Sequence, residues 1–250
     1  GKWDLKITNN DKVKYDGEIL VPFPVESRLS GVELEVGKKD LLTYTRSFTL
    51  PSDFKKDKVL LHFGAVDQIC EVLINGNIVG SHRGGYIPFV FDITDFCQND
   101  ENTLIVKVSD PLDLELPYGK QCKKRGGMWY TPTSGIWQTV WLESMPDKHI
   151  RNIRYDVSAK EKSVKITSDS FGLKQTIKIY DGETQILSGE YTDSIIFNYD
   201  FKLWSPESPN LYNVVIENGA GDRVKSYFGV RDFCIVVDKA GKKRLSLNGK

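Results

Sequence analysis

The stretch TIKIYDGETQIL, Thr176–Leu187, decides the fold class. Two short runs of β-branched and apolar residues flank Asp181-Gly182, a dipeptide that accepts the positive φ of a tight turn. The segment therefore reads as two strands of one hairpin. The same signal recurs at Asp16-Gly17, Asn75-Gly76 and Asn218-Gly219, each beside β-branched or aromatic residues. In NTLIVKVSD, Asn102–Asp110, the residues Leu104, Val106 and Val108 alternate with Ile105 and Lys107. No window holds a 3.6-residue period bounded by caps. Short strands with frequent turns predict an all-β chain, built as a sandwich or jelly roll.

Size and composition narrow the possibilities. The chain has 250 residues, so two domains of roughly 100–150 residues are expected. Basic and acidic residues balance at 34 each, without the basic excess that nucleic-acid binding demands. No apolar run is long enough to span a bilayer. Gly1 is not followed by a basic-then-apolar leader, so a signal peptide is not expected in this stretch. Cys70, Cys97, Cys122 and Cys234 form no CxxC pair or zinc knuckle. They read as ordinary buried or semi-buried thiols, which favours a reducing compartment, and no Asn-x-Ser/Thr sequon occurs, so a cytoplasmic location is expected.

A boundary is expected at SMPDKHI, Ser144–Ile150, where Pro146 ends a long strand pattern and the aromatic content falls. This gives a first domain over residues 1–146 and a second, hairpin-rich one over 147–238. Residues 239–250 are set apart. Asn248-Gly249 repeats the turn signal but only Lys250 follows, so an unpaired half-hairpin is expected, opening a third domain.

The chemistry is sparse. GGMWYTPTSGIWQTVWLE, Gly126–Glu143, contains three tryptophans. Read as one strand, its C-terminal part points Ile136, Gln138, Val140 and Leu142 one way, and Trp137, Thr139, Trp141 and Glu143 the other. Both faces are largely apolar, so Trp137 and Trp141 are expected in a core. Trp129 and Tyr130 lie between a glycine pair and Thr131-Pro132-Thr133, a loop composition suited to holding rings at a surface. In GSHRGGYIPFVFDIT, Gly80–Thr94, His82 is expected in a tight connection, while Phe89 and Phe91 feed the core. There is no phosphate-cradling loop, HExxH, nucleophile elbow or calcium loop, and neither a metal nor a cofactor is expected. Carboxylates are plentiful, and their spacing in three dimensions is not written in the sequence.

Six pieces, in order, resemble the N-terminal portion of glycoside hydrolase family 2, which contains β-galactosidases, β-glucuronidases and β-mannosidases. They are VPFPVESRLSG (Val21–Gly31), VLINGNIVGSHRGGYIPFVFDIT (Val72–Thr94), ENTLIVKVSD (Glu101–Asp110), TSGIWQTVWLE (Thr133–Glu143), LWSPESPNLYNVVI (Leu203–Ile216) and FGVRDF (Phe228–Phe233). LSLNGK, Leu245–Lys250, resembles the entry into that family's catalytic barrel. The resemblance implies a jelly-roll sugar-binding domain, then an immunoglobulin-like sandwich, then a (β/α)8 barrel that carries both catalytic glutamates and retains configuration. The family's acid/base glutamate follows an asparagine, and no Asn-Glu dipeptide occurs here. The resemblance thus implies a non-catalytic N-terminal part of a β-glycosidase, partnered by its own barrel and the substrate of the whole enzyme, with a homo-oligomer open. A loop before the Ser-Gly-Ile turn supplies a substrate-reaching aspartate in galactosidases and glucuronidases. Its nearest counterpart here is Gly127 or Met128, in a longer loop with Lys120, Lys123, Lys124 and Arg125. The expected carbohydrate contacts are Gln121, Arg125, Trp129 and Tyr130. The competing expectation is a free-standing carbohydrate-binding module or adhesin.

Overall fold

The structure, a computed structural model, describes residues 1–113, 115–124 and 126–250. It divides into two compact units, Gly1–Met145 and Pro146–Lys250. Both are β-sandwiches: among the described residues the only helical piece is a single 3-10 turn at Arg28–Ser30. No helix among them is long and apolar enough to cross a membrane.

In the first unit the chain forms β1 (Lys2–Asn9), β2 (Lys12–Leu20), β3 (Asp40–Thr49), β4 (Lys58–Phe63), β5 (Val66–Asp67), β6 (Ile69–Ile74), β7 (Asn77–Arg83), β8 (Phe89–Asp92), β9 (Glu101–Ser109), β10 (Gly135–Ile136) and β11 (Val140–Met145). A six-stranded antiparallel sheet runs β2-β1-β3-β9-β6-β7, a second sheet runs β11-β4-β8, and β10 pairs with β5. The period-two pattern sets which side chains meet between the sheets. β9 buries Asn102, Leu104, Val106 and Val108, and β4 buries Val59, Leu61 and Phe63. These join Leu5, Ile7, Leu42, Tyr44 and Val72 in one core. Phe63 stacks on Phe89 with ring centroids 4.9 Å apart. Phe89 also stacks on His82, which lies inside β7, paired with Cys70, and so is not in the expected tight connection; the connection to β8 follows it, over residues 84–88.

The second unit contains β12 (Arg151–Ser158), β13 (Ser163–Asp169), β14 (Gln175–Asp181), β15 (Thr184–Tyr191), β16 (Ser194–Asn198), β17 (Tyr212–Asn218), β18 (Arg223–Phe228), β19 (Phe233–Val237) and β20 (Lys243–Leu247). Sheets β12-β13-β16 and β15-β14-β17-β18 enclose Val164, Ile166, Ile177, Ile179, Val214 and Ile216. Three strands against four is the layout of an immunoglobulin-like sandwich.

The turns follow the sequence expectation only in part. Asp181-Gly182 and Asn75-Gly76 do turn β14 into β15 and β6 into β7. Asp16-Gly17 instead lies inside β2, and the β1–β2 turn is made by Asn10-Asp11, both at positive φ. An αL-tolerant Asn-Asp pair serves as well as Asp-Gly. At the C-terminal end, β20 pairs with β19 from Val237↔Lys243 to Phe233↔Leu247. Leu247 and Lys250 exchange backbone hydrogen bonds of 3.0 and 3.1 Å around Asn248-Gly249. The expected unpaired half-hairpin is therefore a closed turn on a paired strand. One face of this hairpin leaves Phe233, Ile235 and Val237 exposed, with Leu245 at 89%.

The tryptophan stretch also differs from the reading as one covered strand. It is broken into β10 and β11, with Gly64 N–H donating to the Thr139 carbonyl across the break. Trp141 stands on an edge strand, 43% exposed and stacked on His62 at 4.8 Å, so it is not a core residue. Trp137 is half-buried, and its indole donates to the Gly85 carbonyl at 2.7 Å. Phe63→Ala should cost about 3–5 kcal/mol in urea unfolding, whereas Trp141→Ala should cost less than half of that.

Candidate functional site

The loop Gln121–Tyr130 is closed at its neck by backbone bonds. Cys122 N–H donates to the Tyr130 carbonyl at 2.9 Å, and Tyr130 N–H donates to the Lys120 carbonyl at 3.0 Å. Gly127, at φ 59°, lets the chain reverse before Trp129. At the tip Met128 is exposed, Trp129 is 49% exposed and Tyr130 65%. These rings present apolar faces to water, as a sugar-contacting surface requires. Lys123 lies 3.9 Å from Glu35, an exposed pair that partly neutralises the basic run. Arg125 lies outside the described residues.

Gln121 does something other than what its sequence position suggests. It is 8% exposed and its amide is fully engaged. Nε2 donates to Tyr86 Oη at 2.8 Å and to Asp67 Oδ2 at 3.4 Å. Oε1 accepts from Thr133 N–H at 2.6 Å and from Thr133 Oγ1 at 3.3 Å. An amide offers two donors and two acceptor lone pairs, so nothing is left for a sugar hydroxyl. The geometry thus brings Trp129 and Tyr130 together at a surface, and places Gln121 beneath them.

Beneath the loop lies a polar cluster that sequence reasoning missed. Asp67, on β5, is 1% exposed, and Asp110, just past β9, is 5% exposed. Ser134 bridges two acids: its Oγ donates to Asp110 Oδ2 at 2.8 Å and its N–H to Glu26 Oε2 at 2.9 Å. Gln68 Nε2 donates to the Pro117 carbonyl at 3.1 Å. Asp67 Oδ1, Glu26 Oε1 and Gln68 Oε1 are buried without a hydrogen-bond partner. Gly85 packs so tightly here that a Cβ would stand 2.3 Å from Asp67 Oδ1. The only trace in the sequence is a carboxylate within the apolar run GAVDQICEV, Gly64–Val72. Among the described residues no ion pair reaches Asp67, Asp110 or Glu26, and no group of three or more His, Cys, Asp or Glu residues is arranged to hold a metal.

Burial is the main cause that pushes the Asp67 carboxyl up to about 7; the neighbouring Asp110 and Glu26 add to it, against a lowering bond from Gln121. Burial also raises Glu26, opposed by its bonds to Ser134. Asp67 is fully enclosed, whereas Glu26 is only partly covered.

Comparison with known proteins follows the same outline. A family model described as glycosyl hydrolase 2 galactose-binding domain-like matches residues 27–159, and one described as glycosyl hydrolases family 2 matches 139–231. A β-galactosidase of Thermoanaerobacter pseudethanolicus is 28% identical over 83% of this chain and 30% of its own length. The β-galactosidase large subunit of Leuconostoc lactis is 29% identical over 99% of this chain and 40% of its own length. A putative β-glucuronidase of Formosa agariphila is 27% identical over 82% of this chain and 27% of its own. This chain thus spans well under half the length of these curated relatives. A β-glucuronidase structure from Ruminococcus gnavus superposes with a TM-score of 0.78 at 19% identity, covering 100% of this chain and 47% of that one. One from Bifidobacterium dentium gives 0.73 at 22% identity, covering 100% and 50%.

The raised Asp67 carboxyl fixes the sign of a pH effect. Its proton stabilises the folded state fully below the unfolded value of 3.8, and that contribution is lost as pH rises through about 7. Asp67→Asn should therefore abolish a fall in first-unit stability on the order of 4 kcal/mol between about pH 4 and pH 8, measured by urea unfolding across that range.

Proposed function

The chain belongs to glycosyl hydrolase family 2, and we propose that it is the non-catalytic N-terminal part of a retaining β-glycosidase. In this reading residues 1–146 are the sugar-binding jelly roll and 147–238 the immunoglobulin-like domain, with 239–250 leading into the catalytic barrel. Both catalytic glutamates belong to that barrel. The two sandwiches brace it, and the aromatic loop forms one wall of its substrate pocket. Four free cysteines favour a reducing, cytoplasmic setting.

The observation that carries the bracing role is the apolar face of the β19–β20 hairpin. Cross-strand neighbours Phe233↔Leu247 and Ile235↔Leu245 put apolar side chains on the same face, and Val237 extends it. A two-stranded hairpin is marginal by itself, and a contiguous exposed apolar face marks a surface meant to be covered. A barrel of the kind implied by the family supplies such a cover. The loop contributes by shape: Trp129 and Tyr130 stand open to a ligand, with Trp129 suited to stack on the C–H face of a sugar ring.

The exposed rings also favour a second reading, a free-standing carbohydrate-binding module. Calorimetric titration of the 250-residue chain with mono- and oligosaccharides separates the two. Millimolar or tighter binding by the chain alone supports the module, and none supports the scaffold.

As a scaffold, the 250-residue chain should not turn over nitrophenyl β-glycosides. In the enzyme that contains it, Trp129→Ala should lower kcat/KM about tenfold, the effect of losing ~1.4 kcal/mol of ring contact. Unchanged kinetics with unchanged melting would remove the loop from the substrate pocket.

A further inference from the structure

We infer that Asp67 is a positioning residue for the aromatic loop: its buried carboxyl, acting through the Gln121 amide, governs how Trp129 and Tyr130 are presented. The inference rests on the proposed pocket-wall role only for its consequence in catalysis; the coupling itself belongs to the first unit.

The connection is short and made of named bonds. The two neck bonds join Lys120 and Cys122, the chain neighbours of Gln121, to Tyr130. Gln121 and Tyr130 are moreover bridge partners, so a shift of Gln121 shifts Tyr130 with it. The Gln121 side chain holds both limbs of the loop, because its Oε1 accepts from Thr133 on the return limb. It is anchored inward by Tyr86 and Asp67, which come from different segments of the unit.

Asp67 is the member of this chain of contacts whose charge changes near neutrality. The groups that act on it are Asp110 and Glu26, both carboxylates, together with the Gln121 amide; Tyr86 shares that amide. Among the described residues no ammonium or guanidinium forms an ion pair with any of the three acids. No cation therefore offsets a negative charge on Asp67, and the group that answers it is the Gln121 amide, whose bond favours the ionised carboxyl. The remaining walls are rigid: Asp67 is paired to Gly135 in the β5–β10 ladder, and Gly85 is pressed against Oδ1. The 3.4 Å contact to Gln121 is the one that responds: it is long for an N–H···O bond and has room to shorten when the carboxyl is charged. With Asp67 charged the Gln121 amide is drawn down onto the carboxylate and the loop sits on the cluster; with Asp67 neutral that hold slackens and the loop is released.

The test reads Trp129 in the 250-residue chain. Fluorescence and acrylamide quenching are recorded from pH 5 to pH 9, and the same curves from Trp129→Phe are subtracted to isolate that ring. The expected result is a Trp129-dependent fall in quenching as pH rises, with a midpoint near 7. Asp67→Asn should hold the acid-side value throughout. Gln121→Ala should make the Trp129 signal independent of pH. Asp110→Asn, which removes one repelling carboxylate, should move the midpoint to lower pH while keeping the amplitude, a shift that a purely structural role would not produce. A flat Trp129 signal in the parent chain, or a transition unchanged in Asp67→Asn, would overturn the proposal. Circular dichroism checks folding; if Asp67→Asn does not fold, the Asp110→Asn midpoint decides, and an unmoved midpoint refutes the coupling. Failure of Trp129→Ala to alter kinetics would sink the pocket wall and leave this fluorescence result standing.

Discussion

Cross-strand pairing with alternate side chains turned inward is the constraint on which everything else in this chain depends. Backbone donors and acceptors of each strand are met by a neighbour, so the inward rows of Leu, Ile, Val, Phe and Tyr can close over two separate cores. The same geometry places the loops at strand ends, where positions are fixed by the frame and sequence is free to vary. Asp67, Asp110 and Ser134 stand at such ends and Gln121 enters from the connection between β9 and β10, which is how residues up to 108 positions apart in sequence (Glu26 to Ser134) come to share one small polar interior.

Period-two alternation made the fold class readable, because burial on one face leaves a regular mark on every strand. Turns were less readable. Asp-Gly and Asn-Gly share the same backbone preference wherever they occur, yet Gly17 lies inside β2 while Asn10-Asp11 makes the turn. Choosing between them needs the register of the partner strand, which is tertiary information. Trp141 departs from expectation for a related reason. Two apolar faces on one strand suggest cover on both sides, but an edge strand has a side with no neighbour. Residue type does not announce which strand will be the edge.

The candidate site divides the same way. Trp129 and Tyr130 were legible as surface rings because a glycine pair and a Thr-Pro-Thr segment frame them. Gln121 is special, as its sequence context suggests, but not as a sugar contact, because an amide that looks free in a polar loop is fully used inside. The acids below it left almost no trace. A carboxylate in an apolar run is visible, but its neighbours Asp110 and Glu26 come from other parts of the chain, and only folding brings them near. The family resemblance, by contrast, was carried by ordered local motifs and needed no knowledge of contacts.

The β19–β20 hairpin has a practical meaning beyond its place in the chain. It offers water two open strand edges beside a row of greasy side chains, the arrangement that recruits further strands from neighbouring molecules. A polypeptide handled with that surface bare grows stickier with concentration. Its well-behaved form in dilute or concentrated solution is therefore one in which Leu245 is out of sight.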